Sequence, residues 1–200
     1  MTFARRLLVS AFVLLIAATT ASATEPKRVL LLHSFGPDFA PWNEYAKNIR
    51  AELNRDAKGP MDIHEVSIAT ARFPEETGEP PLADYLHSLF AEHKLDLVIT
   101  IGAPAARFFQ KYRQQISPAT PVMFTALEQR RVPNADLAAN ETSVAIKIDF
   151  IGIVENILKL LPETNNIAVV IGNSPIEKYW LEQVRAVFSA CAWCEVADNI

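Results

Sequence analysis

The feature that most constrains the fold is a series of short apolar runs that alternate with amphipathic segments. The clearest run, LDLVITIG at residues 95–102, is apolar at most positions rather than at every second position. A strand of this kind buries both faces, which is typical of a parallel sheet with helices on both sides. The alternation therefore predicts an α/β fold with a doubly wound parallel sheet.

The other segments follow the same rhythm. Helical segments carry apolar side chains on one face, as Tyr45, Ile49 and Leu53 do. The alternating run at 61–68 is typical of a strand near a sheet edge, the run at 142–148 is expected to carry the chain to another layer, and the proline-rich stretch 73–81 indicates a loop. Strands are expected at residues 28–33, 61–68, 95–102, 121–126, 142–148 and 166–172, and helices at 43–57, 82–93, 103–115, 150–161 and 175–189.

The first 23 residues form a different kind of sequence. Arg5 and Arg6 precede an apolar run at residues 7–18, and residues 21–23 are small. This layout predicts a secretory signal peptide that is cleaved after Ala23. An uncleaved anchor is the alternative, although the run is shorter than the about 20 residues of a membrane span. We therefore expect a periplasmic protein that meets the membrane only through a partner.

Composition narrows the partners. The chain is 50% hydrophobic with a net charge of −4, and no stripe of basic residues appears. Nucleic acid is therefore not expected as a partner. The longest basic cluster, Arg130 and Arg131, is interpreted as part of a solvated loop.

The two cysteines, Cys191 and Cys194 in the sequence CAWC, do not identify a function. Both a local disulfide and two unpaired thiols are consistent with this spacing. A zinc site would need further ligands, and all four histidines lie far upstream in the sequence. We expect no metal and no organic cofactor.

Candidate ligand contacts follow the first predicted strand. Ligands of open parallel sheets bind outside the carboxyl ends of the strands. There Ser34 supplies a hydroxyl, while the rings of Phe35, Phe39 and Trp42 can stack on a planar or apolar ligand. The alternative is that Phe39 and Trp42 simply cap the core beneath the loop.

Other predicted strand ends add a few candidates. Ala103, followed by Pro104, leaves the start of a helix uncovered, so that a carboxylate could approach its N–H groups, although close helix packing also favours alanine. Thr125 places a second hydroxyl at the same edge of the sheet. After the run at 166–172, Ser174 is explained as a helix N-cap, and Asn173 is left as a possible contact.

Catalytic machinery is sparse in the sequence. Neither a G-x-S-x-G elbow nor an H-E-x-x-H motif is present. His33 with Asp38 is the best pair that the sequence offers, and we expect no catalytic residues. A small secreted enzyme built on this pair is the alternative, and it would need His33 within reach of a carboxylate in an open cleft.

The segments KRVLLLHSF, LDLVITIGAPAARFF, TPVMFTALEQ and LLPETNNIAVVIGNSPIEKYW resemble the substrate-binding proteins of ABC transporters, which have the type I periplasmic-binding fold. The likeness runs over residues 27–185 and extends to the extracytoplasmic sensor regions of histidine kinases. The resemblance implies two lobes, here residues 24–140 and 141–200, that close on a small molecule. An ABC permease or a histidine kinase would then be the partner. The cleft contacts that it implies are Ser34, Phe35, Gly102, Ala103, Thr125, Ala126, Gly172, Asn173 and Ser174.

Two departures from the family leave the ligand open. Relatives often have threonine at the position of Ala103, and an Asp-Pro pair where this chain has Leu127, Glu128 and Gln129. An amino-acid-like solute or an aromatic or carboxylate solute is expected, for uptake or for sensing. The second lobe is expected to be incomplete, so an inactive, truncated product is a further alternative.

Overall fold

The computed structural model describes residues 25–68, 75–131, 137–173 and 175–191. One sheet of five parallel strands has the order β2-β1-β3-β4-β5. The strands are β1 (Lys27–His33), β2 (Met61–Ser67), β3 (Leu97–Ile101), β4 (Val122–Glu128) and β5 (Glu141–Ile146), and the helices are α1 (Trp42–Asp56), α2 (Glu75–Phe90), α3 (Ala103–Ile116), α4 (Phe150–Leu160) and α5 (Pro175–Ser189). This architecture confirms the predicted α/β fold with a parallel sheet.

One face of the sheet is closed by two helices. Alternate residues of β1, Leu30 and Leu32, point to this face and are fully buried. They pack in one core with residues of α2 and α3 that include Leu86, Phe108 and Phe109. Burying a side chain of this size contributes about 1.5–3 kcal/mol, so this layer is the main source of stability.

The opposite face is covered by α1. Val29, Leu31 and Ile99 are buried here, and Ile49 and Leu53 of α1 pack against them. A helix is about 10 Å wide and strands lie about 4.8 Å apart, so one helix covers about two strands. The apolar side chains of Leu97 and Met123 accordingly stay only partly buried.

Arg113 of α3 ties β5 to the edge of the sheet. This buried guanidinium donates to Asn140 Oδ1 at 2.8 Å and to Thr120 O at 3.2 Å, and it forms an ion pair with the Glu141 carboxylate. Glu141 is the first residue of β5. Because both ionic partners are largely buried, their ion pair fixes the register of β5 against β4.

Several boundaries agree with the sequence. β2 lies at the sheet edge, as its alternating pattern predicted, and α1 and α3 begin and end within one residue of their predicted bounds. The strand at 142–148 is different, because β5 pairs in parallel with β4 rather than leaving the sheet. The division of the chain at residues 140 and 141 stays a prediction.

Two other predictions are wrong. The strand expected at 166–172 does not form: Ile167, Val169 and Val170 are 42%, 53% and 95% exposed. No backbone hydrogen bond from another described residue reaches this run, so an isolated strand has nothing to pair with. The loop expected at 73–81 is helical from Glu75, and α2 continues through Pro80 and Pro81.

The predicted signal peptide lies outside the described residues. Within the described part of the chain, no helix combines the length and the apolar character needed to cross a bilayer.

Candidate functional site

The carboxyl ends of β1, β3 and β4 lie side by side. Ser34 N–H donates to Ile101 O at 3.1 Å, and Gly102 N–H donates to Thr125 O at 3.0 Å. These bonds extend the ladders by one residue beyond the strands. The structure thus brings Ser34, Gly102, Ala103, Thr125 and Ala126 together at one edge of the sheet, while their role as ligand contacts stays a prediction.

Ser34 is built into the backbone of its neighbours. The residue is 1% exposed, and its Oγ donates to Ile101 O at 2.7 Å and accepts from Ala105 N–H at 3.0 Å. The hydroxyl therefore supplies, from β1, the cap that the first turn of α3 lacks in its own sequence. These bonds make Ser34 a support of the site.

Gly102 is the point where β3 turns into α3. Its φ of +90° lies in the region that favours glycine, and a Cβ here would lie 2.6 Å from Ser34 Oγ. Both the turn and the close approach of β1 therefore require glycine. Local sequence cannot predict the contact with Ser34, because β1 and the end of β3 are far apart in the chain: Ser34 and its acceptor Ile101 are 67 residues apart.

The start of α3 offers one free amide. Pro104 has no N–H, Ala105 N–H is bound to Ser34 Oγ, and Ala106 N–H donates to Gly102 O at 3.2 Å. Among the described residues, none accepts a hydrogen bond from Ala103 N–H. The predicted carboxylate site at this helix start is thus limited to a single backbone donor and the helix dipole.

The end of β4 is irregular where it meets the candidate site. The pairing of β4 with β5 shifts by one residue between Thr125 and Leu127, and Ala126 has a φ of 54°. Thr125 Oγ1 donates to Thr100 O at 2.8 Å. Positive φ in a non-glycine residue is uncommon and marks a local bulge that redirects the backbone.

An aromatic wall, defined as Phe35, Phe39 and Trp42, stands beside these strand ends. The Phe35 ring stacks on Phe39 with centroids 4.9 Å apart, and on Trp42 with centroids 6.1 Å apart. Trp42 also packs beneath, against a cluster that contains Ile101 and Ala126. Through Trp42 the wall caps the core. Through Phe39, which is 50% exposed, it also presents ring surface to solvent.

The His33 ring lies against the Glu65 carboxylate, which also pairs with Arg50. Its Nε2 lies 2.9 Å from Glu65 Oε2, and Arg50 Nη1 lies 2.6 Å from Glu65 Oε1. His33 is only 2% exposed, and among the described residues no hydrogen bond or ion pair joins it to Asp38. The carboxylate within reach of His33 is thus Glu65 and not Asp38, which disfavours the His33/Asp38 enzyme. Sequence reasoning missed Glu65 and Arg50 because they are distant in the chain.

The second set of predicted contacts is only partly described. Asn173 is exposed, whereas Ser174 lies outside the described residues. Nearby, Trp180 of α5 makes edge contacts with Tyr179 at 5.1 Å and with Phe150 of α4 at 6.2 Å. These contacts join α4 to α5 but bring neither helix into the core, since no described residue after 136 is buried.

A groove of about 720 Å³ lies elsewhere, between α1 and the exposed part of the sheet. Its floor includes Leu97, Ile99 and Met123. At one end Lys27 Nζ donates to Asp96 Oδ1 at 2.7 Å. The pKa of the Asp96 carboxyl is lowered mainly by this bond and also by a hydrogen bond from Arg28 N–H. The bond to Asp96 in turn raises the pKa of Lys27. The sequence did not predict the groove.

Metal and thiol chemistry have little support in the described residues. In these residues no group of three His, Cys, Asp or Glu side chains is placed to hold a metal ion. Cys191 is disulfide-bonded, and the only other cysteine of the sequence, Cys194, lies outside the described residues. Of the two expectations for the cysteines, the structure therefore favours the disulfide.

No protein-family model and no curated protein sequence matches the chain. Solved structures share its fold, and two of them illustrate the likeness. A ligand-free, open substrate binding protein with adhesive properties from Clostridium difficile has a TM-score of 0.58 at 16% identity, over 87% of this chain and 57% of that one. The ABC domain from Streptococcus pneumonia in complex with L-Trp has a TM-score of 0.60 at 18% identity, over 88% and 58%.

The chain thus spans less than three-fifths of the length of either neighbour. Identities this low show the fold and not the ligand. The chain has the parallel α/β fold of these two structures.

Proposed function

We propose that this protein binds a small amino-acid-like, aromatic or carboxylate solute at the carboxyl end of its sheet, and that it is not an enzyme. The observation that carries the proposal is the partly exposed aromatic wall beside the ends of β1, β3 and β4. Aromatic faces of this kind stack on planar ligands and exclude water from them. The L-Trp complex of a protein with the same fold supports this choice of solute class.

In this proposal the aromatic wall and the strand ends contact different parts of the solute. The rings of Phe35 and Trp42 contact the planar or apolar part of the solute. Among the described residues, Ala103 N–H at the positive end of α3 is the helix-start amide left for a carboxylate oxygen. Most donors to a carboxylate must then come from the facing side of the cleft, where we place Asn173 and Ser174.

The cellular role follows from the sequence. We propose that residues 1–23 direct export, that the protein acts in the periplasm, and that it passes its solute or signal to an ABC permease or a histidine kinase. The mass of the protein recovered from a periplasmic extract tests the first step. It should correspond to a chain that begins at Thr24, and a chain that begins at Met1 would contradict cleavage.

Calorimetric titration of L-tryptophan into residues 24–200 tests the binding site. Trp42→Leu and Phe35→Leu keep apolar volume over the core but remove the stacking ring. Each should weaken binding about tenfold. An aromatic contact contributes about 1.4 kcal/mol, and this free energy corresponds to a tenfold change in Kd. Tyr85→Leu is the matched control, since Tyr85 is a 55% exposed ring on α2.

Two results would contradict the proposal. If Trp42→Leu and Phe35→Leu bind as the wild type does, the rings only cap the core. If Tyr85→Leu weakens binding as much as they do, the loss is not specific to the wall. Where L-tryptophan gives no heat, the same series is run with L-phenylalanine, L-leucine and benzoate, and failure of all four removes the proposed solute class.

A further inference from the structure

Arg130 holds the last residue of β4 with two of its donors. Its backbone N–H donates to Glu128 Oε2 at 2.8 Å, and its Nε donates to Glu128 Oε1 at 2.9 Å. Glu128 is only 4% exposed. A buried carboxylate needs such partners, and the charge-assisted bond from Nε fixes the direction of the guanidinium.

The other side of the same guanidinium reaches the chain beyond β5. Arg130 Nη2 donates to Ile148 O at 3.1 Å, and its Cζ lies 5.4 Å from the centre of the Phe150 ring. Ile148 lies in the link between β5 and α4, and Phe150 is the first residue of α4. A guanidinium within about 6 Å of a ring centre gains cation–π attraction.

Phe150 in turn contacts α5. Its ring meets Trp180 edge-on, with centroids 6.2 Å apart. Since no described residue of α4 or α5 is buried, few other contacts restrain the pair. Glu128 lies two residues after Ala126, so the chain of contacts begins at the candidate ligand site and ends at α5.

We propose that Arg130 is a positioning residue that sets the orientation of α4 and α5 against the carboxyl end of β4, and thereby the opening of the ligand cleft. The part that concerns α4 rests on the contacts of Arg130 alone. The part that concerns the cleft rests also on the proposed function. The sequence placed Arg130 in a solvated loop, because neither the burial of Glu128 nor the approach of Ile148 is visible in the local pattern.

Amide hydrogen exchange of the mature chain tests the proposal. Arg130→Lys keeps a cation beside Glu128 and should fold, but a single ammonium cannot hold Glu128 and Ile148 together. It should speed exchange of the α4 amides several-fold, and Arg130→Leu should speed it about tenfold, because the opening of α4 becomes easier by about 1.4 kcal/mol. Amides of α3 serve as the internal reference and should exchange as in the wild type.

Arg55→Leu is the matched control, because Arg55 is an exposed arginine whose ion pairs stay within α1. It should leave α4 exchange unchanged. Equal α4 exchange in wild type, Arg130→Lys and Arg130→Leu would overturn the proposal. So would an equal rise in α3 in both variants, since it would show a general loss of stability.

Ligand affinity is the second readout. Where L-tryptophan binds the wild type, Arg130→Lys should weaken it about threefold, while Arg55→Leu should not change it. Unchanged affinity would overturn the part of the proposal that concerns the cleft. If the wild type binds no solute of the tested class, the proposed function fails, and the exchange of α4 still decides the role of Arg130.

Discussion

The runs LVITI at residues 97–101 and IAVVI at residues 167–171 are nearly interchangeable in composition, yet they have different structures. LVITI is β3, and four of its five residues are buried between β1 and β4. IAVVI is irregular, and Val170 is 95% exposed. Both runs have the apolar, β-branched character that favours strands.

Paired strands and covering helices, rather than local propensity, therefore decide whether such a run becomes a strand. β3 has a paired strand on each side and helices over both faces. The run at 167–171 has no backbone partner among the described residues. The described chain therefore contains a closed region, residues 25–146, and an open region, residues 147–191. Matched substitutions in the two regions test this division.

The largest effect is expected from a pair of leucines. Leu30→Ala removes a fully buried side chain from the core of the sheet and should lower the free energy of unfolding by about 2–5 kcal/mol. Leu160→Ala, at an 81% exposed position of α4, should change it by less than about 0.5 kcal/mol. Urea unfolding measures both. Equal losses would show that the open region shares the core of the closed one.

The next pair compares glycines that end the two similar runs. Gly102→Ala meets the buried Ser34 at a positive φ and should cost about 1–3 kcal/mol. In Gly172→Ala the atoms nearest to the new methyl group are those at the carboxylate end of Glu177, a long side chain, and no positive φ adds strain. Its cost should be below about 0.5 kcal/mol by the same urea measurement. A larger cost at Gly172 than at Gly102 would contradict the division.

A smaller effect is expected from the caps of two helices. Ser34→Ala leaves Ala105 N–H buried without its partner and should cost about 1–2 kcal/mol. Asp149 accepts from Gly152 N–H at 3.0 Å in an exposed position, so Asp149→Ala should cost about 0.5–1 kcal/mol. Thermal unfolding followed by circular dichroism compares the two. A larger fall in the midpoint temperature for Asp149→Ala than for Ser34→Ala would contradict the division into a closed and an open region.

The smallest effect concerns the surface pair Lys27 and Asp96. Hydrogen bonds from Lys27 and from Arg28 N–H hold the pKa of Asp96 in the folded protein below the ordinary 3.8. A lowered folded pKa stabilises the protein above pH 3.8, and this stabilisation is lost as the pH falls through the folded pKa. Asp96→Asn should thus unfold at a slightly lower urea concentration at pH 7, and the difference should shrink as the pH falls from 4 to below the folded pKa.

Glu92→Gln is the control for this measurement, because Glu92 forms no ion pair with another described residue. Its unfolding midpoint relative to wild type should not follow the same pH course. A difference for Asp96→Asn that grows below pH 4 would show that the carboxylate is not stabilised by its neighbours.

Much of the closed region was predictable from sequence because its signals are local. Runs such as 95–102 show burial on both faces, and Pro104 marks the first turn of α3. The parallel direction of the strands also followed from the rule that helices connect parallel strands. The run at 166–172 misled because its local pattern is that of a strand, while pairing depends on residues far away in the chain.

The candidate site was predictable in position and not in detail. The carboxyl-end rule correctly brought Ser34, Gly102 and Thr125 to one edge. It could not show that the Ser34 hydroxyl is bound to Ile101 O and Ala105 N–H, or that Glu65 rather than Asp38 meets His33. Those facts depend on contacts across tens of residues, which no local spacing encodes.

The most direct test of the central claim, that the solute binds at the carboxyl end of the sheet, is amide exchange with and without saturating L-tryptophan, or with whichever tested solute binds. If the solute binds there, amide exchange should slow at residues 34–42, which contain the aromatic wall, and at residues 102–106, at the start of α3. Protection centred instead on residues 48–57 and 96–99, which border the groove beside α1, would contradict it.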